Sequence, residues 1–150
     1  MKRVEDHMEH FFLDANIIIR FLANDDQNQS PIAYSLFEKA TKGEVVLHLS
    51  PMIVAECSWV LQSKRYGYSK IEIAERLLVL IQAKGIKAEE KEILIQSLKY
   101  YSELNVDFID AYLAVYSKVS DVRKVITWNK KHFKKLDVEV YSPKEIVFGE

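Results

Sequence analysis

Each of the three prolines in this 150-residue chain follows a serine: Ser30-Pro31, Ser50-Pro51 and Ser142-Pro143. A serine hydroxyl takes a backbone N–H from the first turn of a helix, and proline at the first helical position gives up an N–H that had no partner. The three dipeptides therefore predict helix starts. A fourth start is the capping-box run Ser69-Lys70-Ile71-Glu72, followed by Ile73, Leu77, Leu80 and Ile81 on one helical face. Helices are expected over residues 15–22, 31–41 and 51–64, behind the capping box as far as Gly85, and over 89–102 and 107–118. Short apolar runs at 11–14, 45–49, 86–88, 125–128 and 138–141 read as strands. Strands that alternate with helices predict an α/β fold with a mainly parallel sheet covered on both faces. Right-handed crossovers then line the C-terminal strand ends along one edge, where such folds bind ligands. The length suits a single domain over residues 1–150, and no repeat or linker interrupts it.

Composition narrows the classes of function. A hydrophobic share of 49% fits a folded globule. Lys+Arg 21 against Asp+Glu 22 excludes a whole-protein basic footprint, so any nucleic-acid contact must use local patches. The single cysteine, Cys57, has no disulfide or zinc partner and reads as a packed core thiol. No apolar run approaches the roughly 20 residues of a membrane span. Residues 1–7 carry no apolar leader core. The expectation is a soluble chain of a reducing compartment, the cytoplasm.

Four carboxylates stand in or beside apolar stretches. Asp14 follows Phe11-Phe12-Leu13, Glu56 interrupts the run from Met52 to Leu61, and Asp107 and Asp110 bracket Phe108-Ile109. A carboxylate removed from water costs several kcal/mol unless it is compensated. One shared divalent cation compensates several at once. Each acid also has a simpler reading. Asp14 or Asn16 can cap the helix that follows, Asp107 and Asp110 can complement a helix dipole, and Glu56 can pair with Lys64. The apolar stripe of Met52, Ile53 and Val60 predicts that Glu56 faces inward or into a cleft.

Thr127-Trp128-Asn129 closes a strand at the same predicted edge, and Asn129 offers a neutral oxygen or an amide donor. Lys130, Lys131, His132, Lys134 and Lys135 follow. This densest basic cluster reads either as a phosphodiester grip or as a solvated helix face. Arg20 and the run Lys64-Arg65-Tyr66 are weaker basic candidates.

Together these segments resemble the PIN-domain nucleases, especially the VapC-type toxins of toxin–antitoxin pairs. The resemblance is carried by Phe12-Leu13-Asp14-Ala15-Asn16, by Val54-Ala55-Glu56, by the run from Val106 through Asp107 and Asp110 to Ala114, by the run from Val125 through Asn129 to Phe133, and by Val140-Tyr141-Ser142-Pro143-Lys144-Glu145. It implies a three-layer α/β/α sandwich and Mg²⁺- or Mn²⁺-dependent cleavage of RNA. It also implies a cognate antitoxin as partner and a homodimer. Carried over, Asp14, Glu56 and Asp110 become the metal-holding acids and Asp107 an accessory acid. Asn16, Thr127 and Asn129 support them, and Lys130, Lys131, His132 and Arg20 hold substrate. The family often has a further aspartate where this chain has Asn129, which favours one tightly held metal over two. The same substitution supports the competing reading, a non-catalytic PIN-like module that binds RNA or a protein.

Overall fold

A computed structural model describes residues 7–149. The segment read as lacking a leader core lies outside the described residues, except for His7. The chain falls into two compact units, divided between Lys91 and Glu92.

The first unit runs β1 (Glu9–Phe12), α1 (Ala15–Ala23), α2 (Gln29–Thr41), β2 (Val45–Leu49), α3 (Pro51–Gln62), α4 (Lys70–Ile81) and β3 (Ile86–Ala88). Its strands form a parallel sheet in the order β1-β2-β3, with Phe12 opposite His48 and Leu49 opposite Ala88. Two helices lie between successive strands, which is what returning to a parallel start requires. Ile18 and Ile19 of α1, Leu47 and Leu49 of β2, Leu61 of α3, and Ile73, Leu77 and Ile81 of α4 are buried. The last three keep the spacing read from sequence.

Local chemistry sets most of the boundaries. Ser50 caps α3 with Pro51 in its first turn, and Ser69 and Glu72 close the expected capping box on α4. The expected start at Ser30 is corrected. Helix α2 begins at Gln29, two residues before the expected Pro31, and its N-cap Asn28 makes no side-chain cap hydrogen bond; upstream, Asp26 Oδ1 accepts from the N–H groups of Asn28 at 2.9 Å and Gln29 at 2.7 Å. The Ser30 hydroxyl is buried and donates to the Arg20 carbonyl at 2.7 Å, tying α2 to α1. A carboxylate upstream supplied the acceptor that the hydroxyl was expected to provide. Gly85 precedes β3 at φ +87°, where a Cβ would stand 2.3 Å from the Ala40 carbonyl oxygen. Only glycine permits that approach of α2 to the sheet.

The second unit holds α5 (Lys91–Glu103), which starts at the division, then α6 (Phe108–Val119), β4 (Lys124–Ile126), α7 (Lys130–Phe133), a 3-10 turn (Lys134–Leu136), β5 (Glu139–Tyr141) and α8 (Pro143–Phe148). Strands β4 and β5 pair in parallel, Val125 opposite Val140. Val106, Ala111, Ala114, Val125, Phe133 and Leu136 form its core. Ser142 caps α8 with Pro143 in its first turn, as the third Ser-Pro pair predicted, and Glu145 completes a second capping box there.

The parallel α/β architecture expected from the alternation is present. Its strands are hydrogen-bonded as one three-stranded and one two-stranded sheet, where a single central sheet was expected. The first strand ends at Phe12, so Asp14 falls outside it, and β4 stops at Ile126. The lysine run, read as a basic cluster, is itself a short helix and a 3-10 turn. No helix among the described residues is long and apolar enough to cross a membrane.

Candidate functional site

Asp14 extends between β1 and α1 at φ −90° and ψ 153°, and its Oδ1 accepts from the Ala15 N–H at 2.8 Å. It is thus the N-cap of α1, and Asn16 lies exposed in the first turn. Glu56 sits midway along α3. The Cys57 thiol beside it is fully buried and lies 3.9 Å from the carbonyl oxygen of Ala15. Burial first, and then the negative charges of Glu56 and Asp14, push this thiol up to about 12. The start of α1 and the middle of α3 are therefore neighbours, and two carboxylates act on one buried group. Neither has an ion-pair partner among the described residues.

The argument from burial is corrected by these positions. Asp14, Glu56 and Asp107 are exposed, and the Asp110 side chain retains 25% of its accessibility. Glu56 does not face inward. It shares a solvent-facing stripe with Met52 and Trp59, which are 82% and 49% exposed, while Val54, Ala55, Cys57, Ser58 and Leu61 carry the buried face of α3. Neighbours in sequence project about 100° apart around a helix, so a carboxylate amid apolar residues need not share their environment.

In the second unit Asp107 caps α6, its Oδ2 accepting from the Ile109 N–H at 3.2 Å, and Asp110 stands in the first turn. Both line a cavity of about 250 Å³ together with Asn105, Lys131, His132 and Lys135. The His132 Nδ1 lies 3.6 Å from the Asp110 Oδ2. Lys135 donates to the Leu104 carbonyl at 3.3 Å. Lys130 turns elsewhere, to Glu145 Oε1 at 2.6 Å. The Thr127 hydroxyl accepts from the Asn129 N–H at 3.0 Å, which shapes the turn into α7, and Trp128 beside it is 80% exposed.

Arg20 is held within the first unit. Its Nε donates to Gln29 at 2.8 Å, and its Nη1 reaches Tyr66 at 2.9 Å and Asp25 at 3.2 Å. Arg65 also pairs with Asp25 at 3.8 Å and stands over the Tyr66 ring. The residues expected to form a second basic patch thus join the connection between α1 and α2 to that between α3 and α4.

Asp14 and Glu56 are brought together in one unit, and Asp107, Asp110, Lys131 and His132 in the other. Among the described residues, no three histidine, cysteine, aspartate or glutamate side chains are grouped as a metal site. The donor chemistry nevertheless fits magnesium or manganese. Asp14, Glu56, Asp107 and Asp110 offer hard carboxylate oxygens, Asn16 and Asn129 offer amide oxygens, and the sole cysteine is buried and protonated. Asn105 was not singled out from sequence, and Lys135 was named only as part of the basic cluster. The spacing of Lys131 and Lys135 points to a shared helical face once a helix is assigned there.

The family model for the PIN domain matches residues 11–139, a span that contains all four carboxylates and Asn129. The chain is also 23% identical over 133 residues to the VapC ribonuclease of Aquifex aeolicus (strain VF5), covering 89% of this chain and 96% of that protein.

Proposed function

The chain belongs to the PIN-domain family, and on that premise we propose that it is a Mg²⁺- or Mn²⁺-dependent endoribonuclease, the toxin of a toxin–antitoxin pair. The observation that carries this reading is the nearness of the start of α1, which carries Asp14, to the middle of α3, which carries Glu56, two carboxylates with no ion-pair partner among the described residues and inside the matched span. The similarity to a protein named as a ribonuclease supports it.

In this reading Asp14, Glu56 and Asp110 supply the metal-binding oxygens, and Asp107 is the accessory acid. When bound, the cation polarises a phosphoryl oxygen and lowers the pKa of the attacking water. Glu56 or Asp107 orients that water and accepts its proton. Asn16 and Asn129 hold the carboxylates or the scissile phosphate by their amides, and Thr127 shapes the Asn129 turn. Lys131 and His132, which line the cavity with Asp110, grip the backbone phosphates. Arg20 and Lys130 act one step back, through the partners that hold them. The products are a 3′-hydroxyl and a 5′-phosphate. The chain works in the cytoplasm as a homodimer and is silenced there by its antitoxin.

The test uses the purified chain, free of any partner, with single-stranded RNA in Mn²⁺ or in EDTA. Cutting is expected in Mn²⁺ alone and is lost in Asp14→Asn. Equal cutting with chelator overturns the metal dependence. One observation favours a second reading. Asn129 withholds a negative charge where the family often has an acid, as a binding module without catalysis would. A folded chain that binds RNA, takes up no Mn²⁺ and cuts nothing would establish that alternative.

A further inference from the structure

Lys131 and Lys135 stand four residues apart across α7 and the 3-10 turn, and both line the cavity that holds Asp107 and Asp110. Lys135 is anchored there through the Leu104 carbonyl, while Lys130 is drawn away to Glu145. Two lysines and two aspartates, with His132 beside them, thus line one cavity of about 250 Å³. Their formal charges cancel, so the cavity attracts neither a free cation nor a free anion strongly. Each ammonium repels a divalent ion that approaches the carboxylates, and each carboxylate repels a phosphate that approaches the lysines. Occupancy by one removes the obstacle to the other.

We propose that Lys131 and Lys135 make cation binding and phosphodiester binding mutually dependent, weakening the hold of Asp107 and Asp110 on a free ion until a nucleic-acid phosphate covers the ammonium groups. The inference rests on the ribonuclease reading, which supplies both ligands. Coupling between two ligands is reciprocal, so the phosphate strengthens the ion as much as the ion strengthens the phosphate. The chain without nucleic acid then holds metal loosely, and the hydrolytic site is completed on the substrate.

The test is a calorimetric titration of Mn²⁺ into the whole chain and into Lys131→Gln/Lys135→Gln, each with and without short single-stranded DNA as the source of phosphodiesters. Without DNA, the double variant is expected to bind Mn²⁺ roughly three- to tenfold tighter than the unaltered chain, the scale of two partly exposed charge interactions. DNA tightens Mn²⁺ binding in the unaltered chain, and that gain is lost in the variant. Lys134→Gln changes charge next to the cavity without lining it, and it leaves both measurements unchanged. Damage to the fold does not tighten a site, so the sign of the effect separates this role from a structural one.

Unchanged or weaker Mn²⁺ binding in the double variant overturns the proposal. So does an equal effect in Lys134→Gln, or an affinity in the unaltered chain that DNA does not alter. EDTA-sensitive RNA cleavage alongside any of these results defeats the coupling and spares the ribonuclease reading. Cleavage indifferent to EDTA defeats that reading instead, and no Mn²⁺ binding by any form defeats both.

Discussion

Glu56 has Val54, Ala55, Cys57 and Ser58 as its neighbours in sequence, all buried, and it faces water itself. The phase of α3 separates them, and the buried Cys57 beside the carboxylate shows the consequence. Its thiol is pushed up to about 12, chiefly by burial, and stays protonated at neutral pH. Native protein at pH 8 is therefore expected to resist alkylation over hours and to label at once in strong denaturant, as mass spectrometry of the intact chain would record. Prompt labelling of native protein contradicts the packing. Gly85 carries a second prediction at this scale. Its positive φ and the 2.3 Å approach to Ala40 leave no room for a methyl group. Gly85→Ala is expected to cost about 2–3 kcal/mol in a denaturant melt.

The helices begin where side-chain acceptors meet backbone N–H groups, and those contacts carry an acid dependence. Glu145 is held below its ordinary value of 4.5 by the Lys130 hydrogen bond first and the Ser142 N–H second, and Glu72 is lowered by its bonds to Ser69. A depressed carboxylate contributes stability that is complete above its unfolded pKa and is lost as pH falls through the folded one. Thermal melts are thus expected to be insensitive to these groups at pH 6–7 and to decline below about 4.5. Ser142→Ala removes the hydroxyl cap of α8, at about 1 kcal/mol near neutrality, and keeps the Ser142 N–H; Lys130→Gln removes the first cause of the Glu145 shift and is expected to flatten part of the acid decline. An unchanged acid profile in Lys130→Gln refutes the assignment. Element α7 shows how one lysine run divides its work. Lys130 serves the cap of α8, whereas Lys131 and Lys135 serve the cavity.

For the molecule as a whole, the proposed cation binds the folded chain alone, so its effect is global. Mn²⁺ is expected to raise the melting temperature in a concentration-dependent way, EDTA to reverse the gain, and Asp14→Asn or Asp110→Asn to lose most of it. A melting temperature indifferent to Mn²⁺ in the presence of nucleic acid counts against the metal assignment. The order of the five strands and of helices α1 to α6, the capping box at Ser69, the helix start at Ser142, and the motif-bearing segments of the PIN domain were readable from the chain alone, because spacing and cap chemistry act within a few residues. The burial of the acids was not, because apolar neighbours along a helix do not share its outward face. Nor was the use of Asp26 in place of Ser30 as acceptor for the N–H groups at the start of α2, or the attachment of Arg20 to Tyr66, forty-six residues on. Those outcomes depend on helix phase and on partners distant in sequence, and only the folded chain brings such partners together.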